Sequence, residues 1–73
     1  MNKTRLQKTV GVRIRQIRQD RNISQEELAS SIGKLRQVIQ RIEGGHVNPE
    51  IYTLRLIAGG LGIRLEELFE ELK

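Results

Sequence analysis

The sequence of 73 residues has no cysteine and no tryptophan, and one each of proline, histidine, tyrosine and phenylalanine. Without cysteine, neither disulfides nor thiolate metal ligands can stabilise the chain. His46 is the only histidine, so a multi-histidine metal site is excluded, and neither a metal nor a cofactor is expected. No apolar run approaches the roughly 20 residues needed to cross a bilayer. Residues 1–11 are polar and basic and lack the apolar stretch of a secretory signal. These absences lead to the expectation of a cytoplasmic protein of a prokaryote. A phosphate-cradling glycine loop is missing too. The acidic pairs Glu66/Glu67 and Glu70/Glu71 lie outside a helical apolar stripe, where they read as solvation and not as catalytic carboxylates. An enzyme is not expected.

What the chain does have is basic charge and helical period. The formal net charge is +4. Residues 1–43 carry ten Lys or Arg against four Asp or Glu, whereas residues 44–73 carry three against five. This asymmetry fits a one-sided polyanion footprint or a solvated basic surface, and charge alone does not choose between them. The length suits one domain, spanning residues 1–73, with a modest core.

Apolar residues recur at helical spacing in five segments separated by Gly, Asn and Pro. The first covers about Arg5 to Arg21, with Leu6, Val10, Ile14 and Ile17 on one stripe. Thr4 and Gln7 fit a capping box, but Gly11 costs about 1 kcal/mol relative to Ala and leaves a later start near Thr9 open. The second covers about Gln25 to Ile32, opened by a Ser24/Glu27 capping box and closed by Gly33 at the left-handed position. The third covers about Leu35 to Glu43. Leu35, Val38, Ile39 and Ile42 fill an arc of about 100° on a helical wheel, and Arg36, Gln37, Gln40 and Arg41 face away from it. The fourth covers about Pro49 to Gly60, with Asn48 as cap and Pro49 at the first position. The fifth covers about Leu65 to Leu72, with Leu65, Leu68, Phe69 and Leu72 as its stripe. The expected fold is all-α: a compact bundle of five helices.

Segments two and three, joined at Gly33 and Lys34, form a helix-turn-helix from Gln25 to Glu43, in which the second helix enters the major groove of DNA. Arg pairs with guanine O6 and N7, and Gln with adenine N6 and N7. A face of Arg36, Gln37, Gln40 and Arg41 therefore suits base readout, although such a face taken alone is also compatible with simple solvation.

The stretch from Ile14 to Phe69 resembles the phage-lambda-repressor-like helix-turn-helix family, often called the XRE family. The matching pieces are IRQIRQDRNISQEELASSIG, VIQRIEGGHVNPEIYTLRLIAGGLGI and LEELF. The resemblance implies a bundle of four or five helices and a small transcriptional regulator, a repressor in the expected sense, that binds double-stranded DNA as a homodimer. It implies that Arg36, Gln37 and Arg41 reach base edges, with Gln40 beside them. It implies phosphate contacts from Gln25, which also braces the recognition helix, with Ser24 and Lys34 near it. Asn48 and the start of segment four match a second phosphate-binding end, near Tyr52 and Thr53. For Tyr52, half-buried packing with an exposed hydroxyl is an equal alternative. Arg18 and Glu43 match a charged pair that holds the first helix to the recognition helix. Glu43 stands at a helix C-terminus, where negative charge is disfavoured, so a partner cation explains it.

Departures from the family pattern stand at Leu35, where a Ser or Thr cap is usual, and at Arg64. Either the recognition helix starts without a side-chain cap, or Leu35 itself touches a thymine methyl. His46 reads as a surface loop residue. Lys3, Arg5 and Lys8 form a basic arm on phosphates or merely solvate the terminus. The two-fold contact is expected through Leu61, Ile63, Leu65, Leu68 or Leu72. The competing class is a protein-binding module, such as an antitoxin or co-regulator whose main partner is another protein.

Overall fold

The computed structural model describes residues 2–70. Among these residues it contains four α-helices and a short 3-10 helix, and no strand. The helices are α1 (Lys3–Asp20), α2 (Gln25–Ser31), α3 (Arg36–Glu43) and α4 (Ile51–Leu61), followed by the 3-10 helix Leu65–Phe69. Leu72, expected at the two-fold contact, lies outside the described residues.

α1 starts earlier than the Thr4 box implies. Asn2 is its cap, accepting from the Arg5 N–H at 2.8 Å. The helix runs through Gly11 without a break. A Cβ at that position would stand 2.4 Å from the Ile42 carbonyl oxygen and 2.6 Å from that of Glu43. Gly11 therefore lets α1 lie directly against the C-terminal end of α3. Asn22, at φ 56°, closes α1 in the left-handed region that Asn tolerates. The Ile23 N–H then donates to Arg18 O at 3.0 Å.

α2 carries the complete capping box. The Glu27 N–H donates to Ser24 Oγ at 3.0 Å, and the Ser24 N–H donates to Glu27 Oε1 at 2.9 Å. Gly33, at φ 71°, takes the left-handed position after α2, and the Lys34 N–H donates back to Ala29 O at 2.9 Å. This turn aims the chain into α3. Leu35 is the N-cap of α3 and makes no side-chain cap hydrogen bond.

Two expectations need correction. Asn48 does not cap α4. The helix begins at Ile51, Glu50 is the N-cap and makes no side-chain cap hydrogen bond, and Pro49 precedes the helix. Proline suits the first helical position because its missing N–H is not needed there and its ring presets φ, but this preference does not fix where a helix starts, and Pro49 stands two residues before Ile51. The fifth segment is a 3-10 helix, started by the Arg64 N–H donating to Glu67 Oε2 at 2.7 Å. A 3.6 and a 3.0 period are nearly indistinguishable over five residues.

Among the described residues, twelve side chains form the core, Ile14, Leu28, Ile39 and Ile57 among them. α3 packs between α1 and α2, and the 3-10 helix packs on α1 and α4. Leu61 and Leu68 are 2% and 0% exposed and belong to this core. Ile63 and Leu65 are half-buried against it. Leu61 and Leu68 thus have no free surface for a second copy, a correction to the expected interface. A chain this short needs its leucines for its own core.

Candidate nucleic-acid interface

α3 is sharply two-faced. Ile39, Ile42 and Glu43 are buried, whereas Arg36, Gln37, Gln40 and Arg41 are exposed. Lys34 and Leu35 precede them, both exposed. The face that the sequence nominates for base contact is therefore solvent-facing and contiguous with the turn that enters α3.

Behind that face sits a buried carboxylate. The Glu43 side chain is 0% exposed. Arg18 Nε and Nη2 donate to its two oxygens at 2.7 and 3.0 Å, a fork that fits both carboxylate lone-pair directions. Gln25 Nε2 donates to Glu43 Oε1 at 3.1 Å. Arg15 Nε reaches the same oxygen at 3.4 Å. Arg18 also donates to Ile23 O at 2.8 Å. Burial pushes the Glu43 carboxyl up. The hydrogen bonds from Arg18 and Gln25, the Arg18 charge and the Arg15 contact outweigh it and hold the group below its ordinary range. The hydrogen bond to Glu43 raises Arg18 above its own ordinary range, against burial. Both groups therefore stay charged, and α1, α2 and α3 meet at one ion.

Gln25 joins this cluster with one amide hydrogen, which leaves its second amide hydrogen available outward. Ser24 Oγ accepts within the cap, leaving its O–H as a donor. Ser24, Gln25 and Arg36 line one hollow together with Arg18 and Glu26. Arg41 and Asn48 line a second, with Thr53, at the other end of α3. Tyr52, 64% exposed, lines a groove between α2 and α4 instead, beside Ser31, Arg55 and Gly59. The structure thus brings the nominated residues to both ends of α3, except Tyr52. Arg15 was missed in the sequence. Its spacing of three from Arg18 puts both on one side of α1, and that was the available signal. Among the described residues, no group of three or more His, Asp or Glu is placed to hold a metal ion.

Residues 14–68 match the sequence model of the helix-turn-helix family. The chain belongs to the helix-turn-helix family, in its lambda-repressor-like form. It is 38% identical over 63 residues to the immunity repressor protein of Bacillus phage phi105, covering 86% of this chain and 44% of that one. It is 34% identical over 64 residues to the control protein C.MunI of a Mycoplasma species, covering 86% of each. In structure it is similar to the restriction-modification controller protein C.AhdI from Aeromonas hydrophila. The TM-score is 0.90 and the identity 29%, over 94% of this chain and all of that one. The chain therefore spans less than half of the phage repressor but the full length of the controller structure. The family is one of DNA-binding transcription regulators, not of enzymes.

Proposed function

We propose that this chain is a sequence-specific DNA-binding regulator of transcription that inserts α3 into the major groove of double-stranded DNA. The observation that carries the reading is the exposed row Arg36, Gln37, Gln40 and Arg41 on a helix whose opposite side is locked in the core. Arg and Gln offer the bidentate donors that guanine and adenine edges accept. Gln25, Ser24 and Lys34 hold phosphates at the start of α3, and Asn48 holds one at its end. These contacts set register, and the α3 row sets sequence. Repression follows where the bound site overlaps a promoter.

The protein works as a homodimer in the cytoplasm of a prokaryote. A two-fold pair spaces its recognition helices about 34 Å apart on one side of the duplex. Ile51 and Tyr52, in the first turn of α4, are 74% and 64% exposed, and they supply the apolar contact between copies. The Tyr52 hydroxyl, at the edge of that contact, can still meet a phosphate. No helix among the described residues is long and apolar enough to cross a membrane.

A titration of DNA over a salt series tests the reading. Affinity should fall linearly in log–log form as salt rises, by about 0.9 per phosphate neutralised. Absence of binding to any duplex, even at low salt, refutes it and favours a protein-binding module.

A further inference from the structure

We propose that Leu35 determines specificity by packing against the 5-methyl group of a thymine in the bound DNA. The inference rests on the DNA-binding reading above. Leu35 is 72% exposed, and it occupies the N-cap of α3 without capping it. A Ser, Thr, Asp or Asn at that position would satisfy a free N–H of the first turn. Leucine gives up that hydrogen bond and leaves its own apolar surface in water. Folding rewards neither choice, so the return must come from something that touches the residue.

The surroundings say what that is. Lys34, Arg36 and Gln37 flank Leu35, and all are exposed and polar. A protein partner would look for a contiguous apolar patch, whereas Leu35 is one apolar side chain among cations and amides. DNA matches this pattern, with anionic phosphates and polar base edges around a single apolar feature of the major groove, the thymine methyl. The backbone there is firmly set. The left-handed Gly33 and the Lys34 N–H to Ala29 O bond hold one side, and the Val38 N–H donates to Leu35 O at 3.0 Å on the other. The N-terminal end of a recognition helix is the part that meets base edges.

The test starts from a duplex selected out of random sequence. Each thymine is replaced singly by deoxyuridine, which removes only the methyl group. At one position in each half-site, the uracil duplex should bind about three- to tenfold more weakly, the worth of one buried methyl. Leu35→Ala should bind thymine and uracil duplexes equally at that position, with an unchanged salt slope. Leu35→Ile should retain the discrimination. Leu35→Ser should raise the unfolding midpoint by restoring a cap, yet lose the discrimination, which separates reading from folding. If the unaltered protein binds DNA but ignores uracil everywhere, or if Leu35→Ala keeps the discrimination, the inference is overturned and the DNA reading stands. Loss of dimer mass in Leu35→Ala with its thymine preference intact overturns it in favour of a protein contact. If no duplex is selected at low salt, both fall together.

Discussion

Gly11→Ala and Gly59→Ala are the same change in two helices, and the structure predicts opposite signs. Helix propensity favours alanine by about 1 kcal/mol at either position. At Gly59 the added Cβ meets nothing within 4 Å, so that gain should appear undiminished. At Gly11 the Cβ would meet the carbonyl oxygens of Ile42 and Glu43 at 2.4 and 2.6 Å. That is roughly an ångström inside ordinary van der Waals contact. The obstacles are main-chain atoms at the end of α3, which cannot rotate aside as a side chain can. Overpacking of this kind costs about 1–3 kcal/mol, and the rigid obstacle puts Gly11 at the upper end. After the propensity gain, a net loss of about 1–2 kcal/mol remains. In thermal unfolding, 1 kcal/mol corresponds to about 4–8 °C for a domain of this size. Gly11→Ala should therefore melt at least that much lower than the unaltered chain, and Gly59→Ala up to that much higher. If Gly11→Ala proved as stable as the unaltered chain, the close approach of α1 to α3 would be wrong.

Other consequences can be checked in parallel. Glu43 has a depressed carboxyl pKa, so its contribution to stability is complete above the ordinary carboxylate range. That contribution is lost as pH falls through the folded value. Urea midpoints between neutral pH and about pH 3 should fall less steeply for Glu43→Gln, and parallel profiles would rule out this role for the ion. Arg41→Ala should cost about 1–3 kcal/mol of binding and relax preference at one base position. Gln25→Ala should weaken operator and random DNA by similar factors, and equal behaviour of the two variants would remove Arg41 from base readout. Ile51→Glu should leave unfolding within about 0.5 kcal/mol, as at other exposed positions. The same change should lower the sedimenting mass, and an unchanged dimer would move the two-fold contact elsewhere.

What was legible in the sequence is what local rules determine. The Ser24/Glu27 box, the left-handed Gly33 and the two faces of α3 depend on residues three or four apart. The misreadings share the opposite property. Asn48 and Pro49 look like a cap and a first residue, but the loop carries them past before α4 begins at Ile51. Gly11 reads as a weak point in a helix because local propensity penalises glycine; its role, like that of Gly60, lies in contacts with other elements. A Cβ at Gly60 would stand 2.8 Å from Leu28 Cδ1, and its neighbours belong to α2 and its C-cap Ile32 rather than to its own helix. Leu61 and Leu68 stand among the expected two-fold contacts because spacing shows which face a residue occupies, but not whether that face meets the same chain or another.

Glu43 shows how the two kinds of information combine. At the C-terminal end of a helix its charge opposes the macrodipole, and burial adds a second penalty. A solvated residue would serve α3 better if only the helix mattered. Instead the carboxylate takes hydrogen bonds from Arg18 and Arg15 on α1 and from Gln25 on α2. One end of α3 is thereby fixed to the helix behind it and to the residue proposed to hold a phosphate. Removing the carboxylate would leave the Arg18 side chain, only 10% exposed, as a charge without its main partner. Breaking such a pair costs about 3–5 kcal/mol. The row of four side chains proposed to read bases would discriminate only if its helix cannot slide against the proposed phosphate anchors. The buried ion supplies that rigidity, at a position where local helix preferences alone would not put a carboxylate.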